Sequence, residues 1–196
     1  MIDWNAIDKK LKSIIINKKN MPTLQELNDK GLQVFIKKNV NLEQSGSIWN
    51  RLYDKVMQLN LSPQEWSLLK LVAILYQTEG PLSYCINYIL FSLMLKGKKI
   101  PLTFKKRKKR YADSVDDLFY NITLNNKVTF LKNNNFAFMS KICPRDIRNA
   151  IAHQDFIIES DGTVTILKTG KKITTDELDE KIKNLVNFIL IFRNKL

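Results

Sequence analysis

The chain has 196 residues, of which 44% are hydrophobic, enough for one well-buried domain without a second core. Its 32 Lys and Arg outnumber 19 Asp and Glu, and the net charge of +13 favours polyanionic partners such as RNA, DNA or an acidic membrane surface. Two cysteines, Cys85 and Cys143, and one histidine, His153, show no metal-ligand spacing, so neither a disulfide nor a metal site is expected, and no cofactor is implied.

The first residues, Met1-Ile2-Asp3-Trp4, bring an acid early and reach only the short apolar run Ile14 to Ile16, which is not signal-peptide architecture; a cytoplasmic protein is expected. Thr23 with Glu26 places a capping hydroxyl three residues before a carboxylate and predicts a helix near 24–38. Ile48, Leu52, Val56 and Leu59 recur at spacings of three and four, with Trp49 and Tyr53 alongside, and predict a helix near 47–59. Ser62-Pro63 with Glu65 repeats the capping pattern and starts a helix over 63–78. Gly80-Pro81 then interrupts, because proline lacks an amide donor and restricts its predecessor. The apolar run Leu82 to Leu95 makes the next helix, and the two read as a central hairpin. At 14 residues, with Ser83, Asn87 and Ser92 inside it, that run is shorter than the roughly 20 residues of a membrane span. It reads as a core helix, in which Tyr84, Tyr88 and Phe91 pack internally, and no membrane partner is expected.

Nine of the fifteen residues from Lys96 to Arg110 are basic, and no acid interrupts them. Lys105, Lys106, Arg107, Lys108, Lys109 and Arg110 are the candidate RNA-binding residues, with Phe104 and Tyr111 placed to stack bases. A solvated surface, or one that binds an acidic lipid or protein, is the alternative. Asp113, Val115, Leu118, Phe119 and Ile122 restore helical character until Asn133-Asn134-Asn135 breaks it. Beyond His153, residues 156–160 and 163–167 flank Asp161-Gly162, a turn dipeptide tolerant of positive φ, and predict a β-hairpin. Thr174 with Glu177 opens a last helix lined by Leu178, Ile182, Leu185, Ile189 and Phe192. With no internal repeat or linker, residues 1–196 read as one all-α domain with a small hairpin before the final helix.

Between these elements, Cys143-Pro144-Arg145-Asp146 starts a helix, with proline in the first turn and an acid near the positive dipole end. At about 100° per residue, Ile147, Ala150 and Ile151 share one face, while Asn149 and His153 lie one turn apart on the other, flanked by Arg148. Arg148-Asn149-Ala150-Ile151-Ala152-His153 resembles the signature of the HEPN ribonucleases: an arginine, a polar residue often Asn, and a histidine four to six residues on. The resemblance covers residues 61–196, leaving residues 1–60 as an N-terminal helical extension. It implies a helical bundle, usually dimeric, in which two motifs face each other across a cleft and cleave RNA without metal.

The chemistry suits the residue types. Imidazole exchanges protons near neutral pH, so His153 is the candidate general base or acid for attack of a ribose 2′-hydroxyl on the adjacent phosphate. Arg148 meets the charge that develops on phosphorus, and Asn149 orients the imidazole or bonds the phosphate. With one histidine per chain, a pair of imidazoles requires a homodimer. The products would carry 2′,3′-cyclic phosphate and 5′-hydroxyl ends, and the family context implies a defence or toxin component with an antitoxin protein as partner. In one toxin subgroup a tyrosine follows two residues after the histidine and is modified by the partner; Asp155 stands there, so that regulation is not expected. Two alternatives stay open: the three residues anchor the hairpin near Asp155 or Asp161, or the domain is a non-catalytic RNA-binding or dimerisation module. Glu79, beside the Gly80 break, is a further candidate acid or base. Gly-rich phosphate loops, serine-nucleophile motifs and clustered metal ligands are absent from the sequence, so nucleotide hydrolysis and metal-dependent nuclease chemistry lack support.

Overall fold

A computed structural model describes residues 2–15, 32–103 and 110–196. Helices dominate, and a small antiparallel sheet precedes the last one. The chain begins with α1 (Trp4–Ile14), which the sequence pattern did not predict; Asp3 caps it by accepting from the Ala6 N–H at 2.9 Å, and Ile7 and Leu11 are buried. Trp4 and Ile14 pack against the core beside them, so Trp4, Ile7, Leu11 and Ile14 form a stripe at spacings of three and four that the sequence reading passed over.

The two helices expected near 24–38 and 47–59 are one, α2 (Leu32–Val56). No proline separates the two apolar patterns, and Gly46 alone does not stop a helix. The Thr23–Glu26 start lies outside the described residues. Phe35 anchors α2 in a ring cluster with Tyr84, Tyr88, Phe91 and Phe119 at centroid distances of 5.0–5.6 Å, which places those tyrosines in the core as expected.

Gly80-Pro81 does not separate two antiparallel helices. Helix α3 (Pro63–Gln77) passes through a π-helical turn (Thr78–Leu82) into α4 (Ser83–Leu95), and the flanking residues Gln77 and Ser83 keep helical dihedrals. Inside a helix, Pro81 removes one amide donor and crowds the carbonyl four residues before it. Widening the turn accommodates both, and the Ser83 amide bonds back to the Thr78 carbonyl, five residues earlier. Burial favours this solution. Leu82 is fully buried and every residue from Tyr84 to Leu93 is buried, the polar Asn87 and Ser92 included, so α4 is the central core helix, enclosed on every side. No helix among the described residues is long and apolar enough to cross a membrane.

The segment expected as a helix from 113 to 122 is a π-helical turn (Asp117–Asn121), stapled by the Asn121 amide donating to Asp117 Oδ1 at 2.6 Å. Helix α5 (Leu124–Asn133) follows, ends at the Asn-rich stretch, and is succeeded by the short α6 (Met139–Ile142) and the motif helix α7 (Arg145–Ala152). The hairpin forms as β1 (Phe156–Ile158) and β2 (Val164–Ile166), with Ile157 opposite Thr165. A third strand, β3 (Lys171–Ile173), extends it; Ile173 pairs with Val164 and is buried, whereas Lys171 and Lys172 are exposed and hide the strand from an apolar pattern. Helix α8 (Thr175–Arg193) closes the fold along α3, with Leu178, Leu185, Phe188, Ile189 and Phe192 buried. Its capping box and that of α3 both form, with Ser62 donating its amide to Glu65 Oε2 at 2.7 Å and Thr174 to Glu177 Oε2 at 2.8 Å.

Candidate functional site

Helix α7 is seated by Ile147 and Ala150, both buried, and packs on α3. Its start is fixed by Lys171 of β3 reaching Asp146 at 2.6 Å, a pairing that holds the Asp146 carboxyl below its ordinary range although burial opposes it. Its end is a two-bond cap: the Gln154 amide donates to Ile151 O at 3.2 Å and the Asp155 amide to Ala150 O at 2.8 Å. Such a cap needs a left-handed residue, and Gln154 takes it at φ 54°. His153 is therefore the last residue before the reversal, outside the apolar stripe and exposed to solvent.

Arg148 is held from two sides. Its Nε donates to Glu79 Oε1, and its Nη1 donates to Asn149 Oδ1 at 3.0 Å. The π-turn carries Glu79 to this position, so the feature that reads in sequence as a helix break presents the carboxylate to the motif. The Asn149 side chain is committed to Arg148, its immediate neighbour, and meets His153 only through the backbone, where the Asn149 carbonyl accepts from the His153 amide at 3.1 Å. Among the described residues the imidazole has no hydrogen-bond partner. Neither aspartate considered as an anchor reaches it: Asp161 accepts from the amide and hydroxyl of Thr163 at 2.9 and 3.0 Å, and Asp155 bonds through its backbone, accepting from Leu167.

A third charged residue joins Arg148 and Glu79. Lys127 on α5 is 4% exposed, its ammonium interacts electrostatically with Glu79, and burial lowers its pKa to about 8 against the opposing pull of that carboxylate. Leu124, Lys127, Val128 and Leu131 fall at helical spacing, so a cation in an apolar stripe was the overlooked signal. Arg145, one turn before Arg148, donates to Asn125 Oδ1 at the start of the same helix. Cys143 sits close by, but burial pushes its thiol up to about 12, which leaves it un-ionised and unsuited to nucleophilic work. Burial likewise raises Cys85.

A groove opens beside Arg148. Its floor is the long helix at Val72, Tyr76, Glu79 and Gly80, α2 forms one wall with Leu42, Ser45 and Trp49, and Arg148 and Ala152 form the other. Gly80 lets the wall approach, since a Cβ there would lie 3.2 Å from Leu42 Cδ2. Of the basic run, Lys105, Lys106, Arg107, Lys108 and Lys109 lie outside the described residues, as does Phe104. Arg110 is described and exposed, and Tyr111 forms an antiparallel bridge with Pro101. Leu102, beside that bridge, is tied to α5 by the Asn126 amide donating to its carbonyl at 3.4 Å, next to the residue that receives Arg145. No family model, curated protein or solved structure matches the chain.

Proposed function

We propose that the chain is a HEPN-type endoribonuclease that cleaves RNA without metal, as a homodimer, through Arg148, Asn149 and His153. One observation carries the reading: a guanidinium clamped between Glu79 and Asn149 shares a short helix with the chain's single histidine, which stands exposed and unpartnered among the described residues at the helix end. His153 takes the proton of the ribose 2′-hydroxyl, the 2′-oxygen bonds to phosphorus, and the bond to the 5′-oxygen breaks as that oxygen receives a proton. The proton comes from the imidazole of the second copy. Arg148 meets the negative charge on the pentacoordinate phosphate. Glu79 and Asn149 occupy Nε and Nη1, so the guanidinium is oriented before substrate arrives.

Two features support the dimer. Leu68 and Val72 are exposed one turn apart on α3, and Val72 lines the groove with Ala152. Ile48 and Leu52 are likewise exposed one turn apart on α2, an apolar surface suited to a second copy. The basic run that ends at Arg110 steers RNA, and the protein acts in the cytoplasm as a defence or toxin component restrained by an antitoxin protein. The pairing of Arg148 with Glu79 favours one rival, a non-catalytic RNA-binding or dimerisation module in which the arginine is structural.

Incubating cellular RNA in excess chelator with wild-type protein and with His153→Ala separates the two. The nuclease reading expects cyclic-phosphate ends from wild type alone, with loss of roughly 10²- to 10⁴-fold in the variant. RNA bound by both and cut by neither establishes the module instead.

A further inference from the structure

The groove beside Arg148 continues past Glu79. Lys38, Asn41, Ser45 and Trp49 recur at spacings of three and four and so share one face of α2. Leu42, Ser45, Glu79 and Gly80 line both the Arg148 end and a second hollow that ends at Lys38, Asn41 and Phe119. Aromatic rings stand at both ends. Trp49 is stacked on Tyr76 at 4.9 Å with planes 10° apart near Arg148, and Phe119 and Tyr120 sit side by side at 6.2 Å at the far end.

The far end is built around a cation and an open ring. Lys38 holds its ammonium 4.9 Å from the Phe119 centroid and 5.2 Å from that of Tyr120, and it makes no ion pair among the described residues. Tyr120 is 68% exposed, the highest value among the exposed large hydrophobics, so its ring contributes little to the core. A positive group against a largely exposed aromatic ring, one hollow away from a guanidinium, matches the repeat of a single nucleic-acid strand, in which each phosphate is followed by a planar base. A duplex would not engage it, because its bases are already stacked on one another.

We propose that Lys38 and Tyr120 form a nucleotide subsite, in which the base next to the scissile phosphate stacks on Tyr120 and the adjoining phosphate is neutralised by Lys38. This rests on the nuclease reading of Arg148 and His153, and it names single-stranded RNA entering between α2 and the π-turn as the substrate form. Phe119 and Asn41 border the subsite: Phe119 is half-buried and supports the Tyr120 ring, and Asn41 offers an amide to a base edge.

The test measures binding of a fluorescent single-stranded RNA oligonucleotide to the full chain carrying His153→Ala, with Tyr120→Ala, Tyr120→Trp or Lys38→Gln added. Tyr120→Ala should weaken binding roughly 10-fold, as loss of one base stack does, while Tyr120→Trp retains affinity and reports on folding. Lys38→Gln should lower the salt slope by about 0.7, one phosphate contact on a single strand. Abasic substitution, position by position, should reveal one nucleotide whose loss costs the parent the same factor and costs Tyr120→Ala nothing more. Equal affinity of parent and Tyr120→Ala, or additive losses at every abasic position, overturns the subsite.

Cleavage by the otherwise wild-type chain reports separately on the chemistry. Cutting with no Tyr120 coupling leaves the nuclease and removes the subsite. Coupling without cutting supports the subsite as a binding groove and removes the nuclease. No RNA binding removes both.

Discussion

The tip of the β-hairpin and the end of α7 lie a few residues apart in sequence, yet they are finished differently. The hairpin tip is closed by its own hydrogen bonds: the Gly162 amide bonds to Glu159 O at 2.9 Å, the Glu159 amide to Thr163 O at 2.8 Å, and Asp161 caps Thr163. The Gly162 carbonyl accepts from the buried Ser67 hydroxyl at 2.6 Å, tying the hairpin to α3. At the end of α7 an exposed imidazole has no hydrogen-bond partner among the described residues, a non-glycine residue takes the left-handed cap, and Arg148 shares Glu79 with a buried lysine. Local satisfaction marks the first as scaffold, and its absence at the second is what the proposed nuclease reading rests on.

If that contrast is right, substitutions at the two ends separate activity from stability. His153→Ala should have the largest effect on cleavage and almost none on the midpoint of urea unfolding, within about 0.5 kcal/mol, because an exposed side chain without partners is removed. A large stability loss would instead make His153 structural. Gly162→Ala should do the opposite. Gly162 has φ 85°, and a Cβ there would lie 2.8 Å from the Pro63 carbonyl oxygen and 3.0 Å from Ser67 Oγ, so strain and collision combine. A loss of about 2–4 kcal/mol in the same unfolding experiment is expected.

Lys127 provides a test inside the site. Its folded pKa of about 8 lies below the ordinary lysine value of 10.5, so between these limits the unfolded chain holds a proton that the folded chain has released. Stability from this group therefore rises with pH across that window, and the full penalty of the buried charge is present below it. Lys127→Met should raise stability at pH 7 by about 1–3 kcal/mol and flatten the dependence between pH 8 and 10. An unchanged pH profile would show that the ammonium is not desolvated in solution.

How much of this was legible in the sequence follows from the range of each signal. The capping boxes at Ser62 and Thr174 and the Asp161-Gly162 turn are set by residues within a few positions of one another, and all three formed. Even so, only Gly162 of that dipeptide has positive φ; Asp161 acts through its side chain. Gly80-Pro81 was misread because a break and a π-turn have the same local chemistry, and the choice rests on burying α4 in one continuous helix. The strand β3 exists because Val164 offers a partner to Ile173. Of the candidate site, the placement of Arg148, Asn149 and His153 on one helix was readable from spacing, whereas the bond to Arg148 from 69 residues away and the Lys127 contact require the assembled fold.

The smallest expected effect falls on the cap itself. At φ 54° Gln154 occupies a region that costs an ordinary residue roughly 1–2 kcal/mol, while glycine enters it freely but loses more chain entropy on folding. Gln154→Gly should therefore stabilise the fold by up to about 1 kcal/mol, read from thermal or urea unfolding, because both cap bonds survive the change. If the strain at Gln154 fixes the direction of His153, the same variant should lose cleavage rate while gaining stability, since the position no longer excludes alternative exits from α7. Equal gains in stability and rate would mean that the cap only ends the helix and that the placement of His153 comes from Ile147 and Ala150 beneath it.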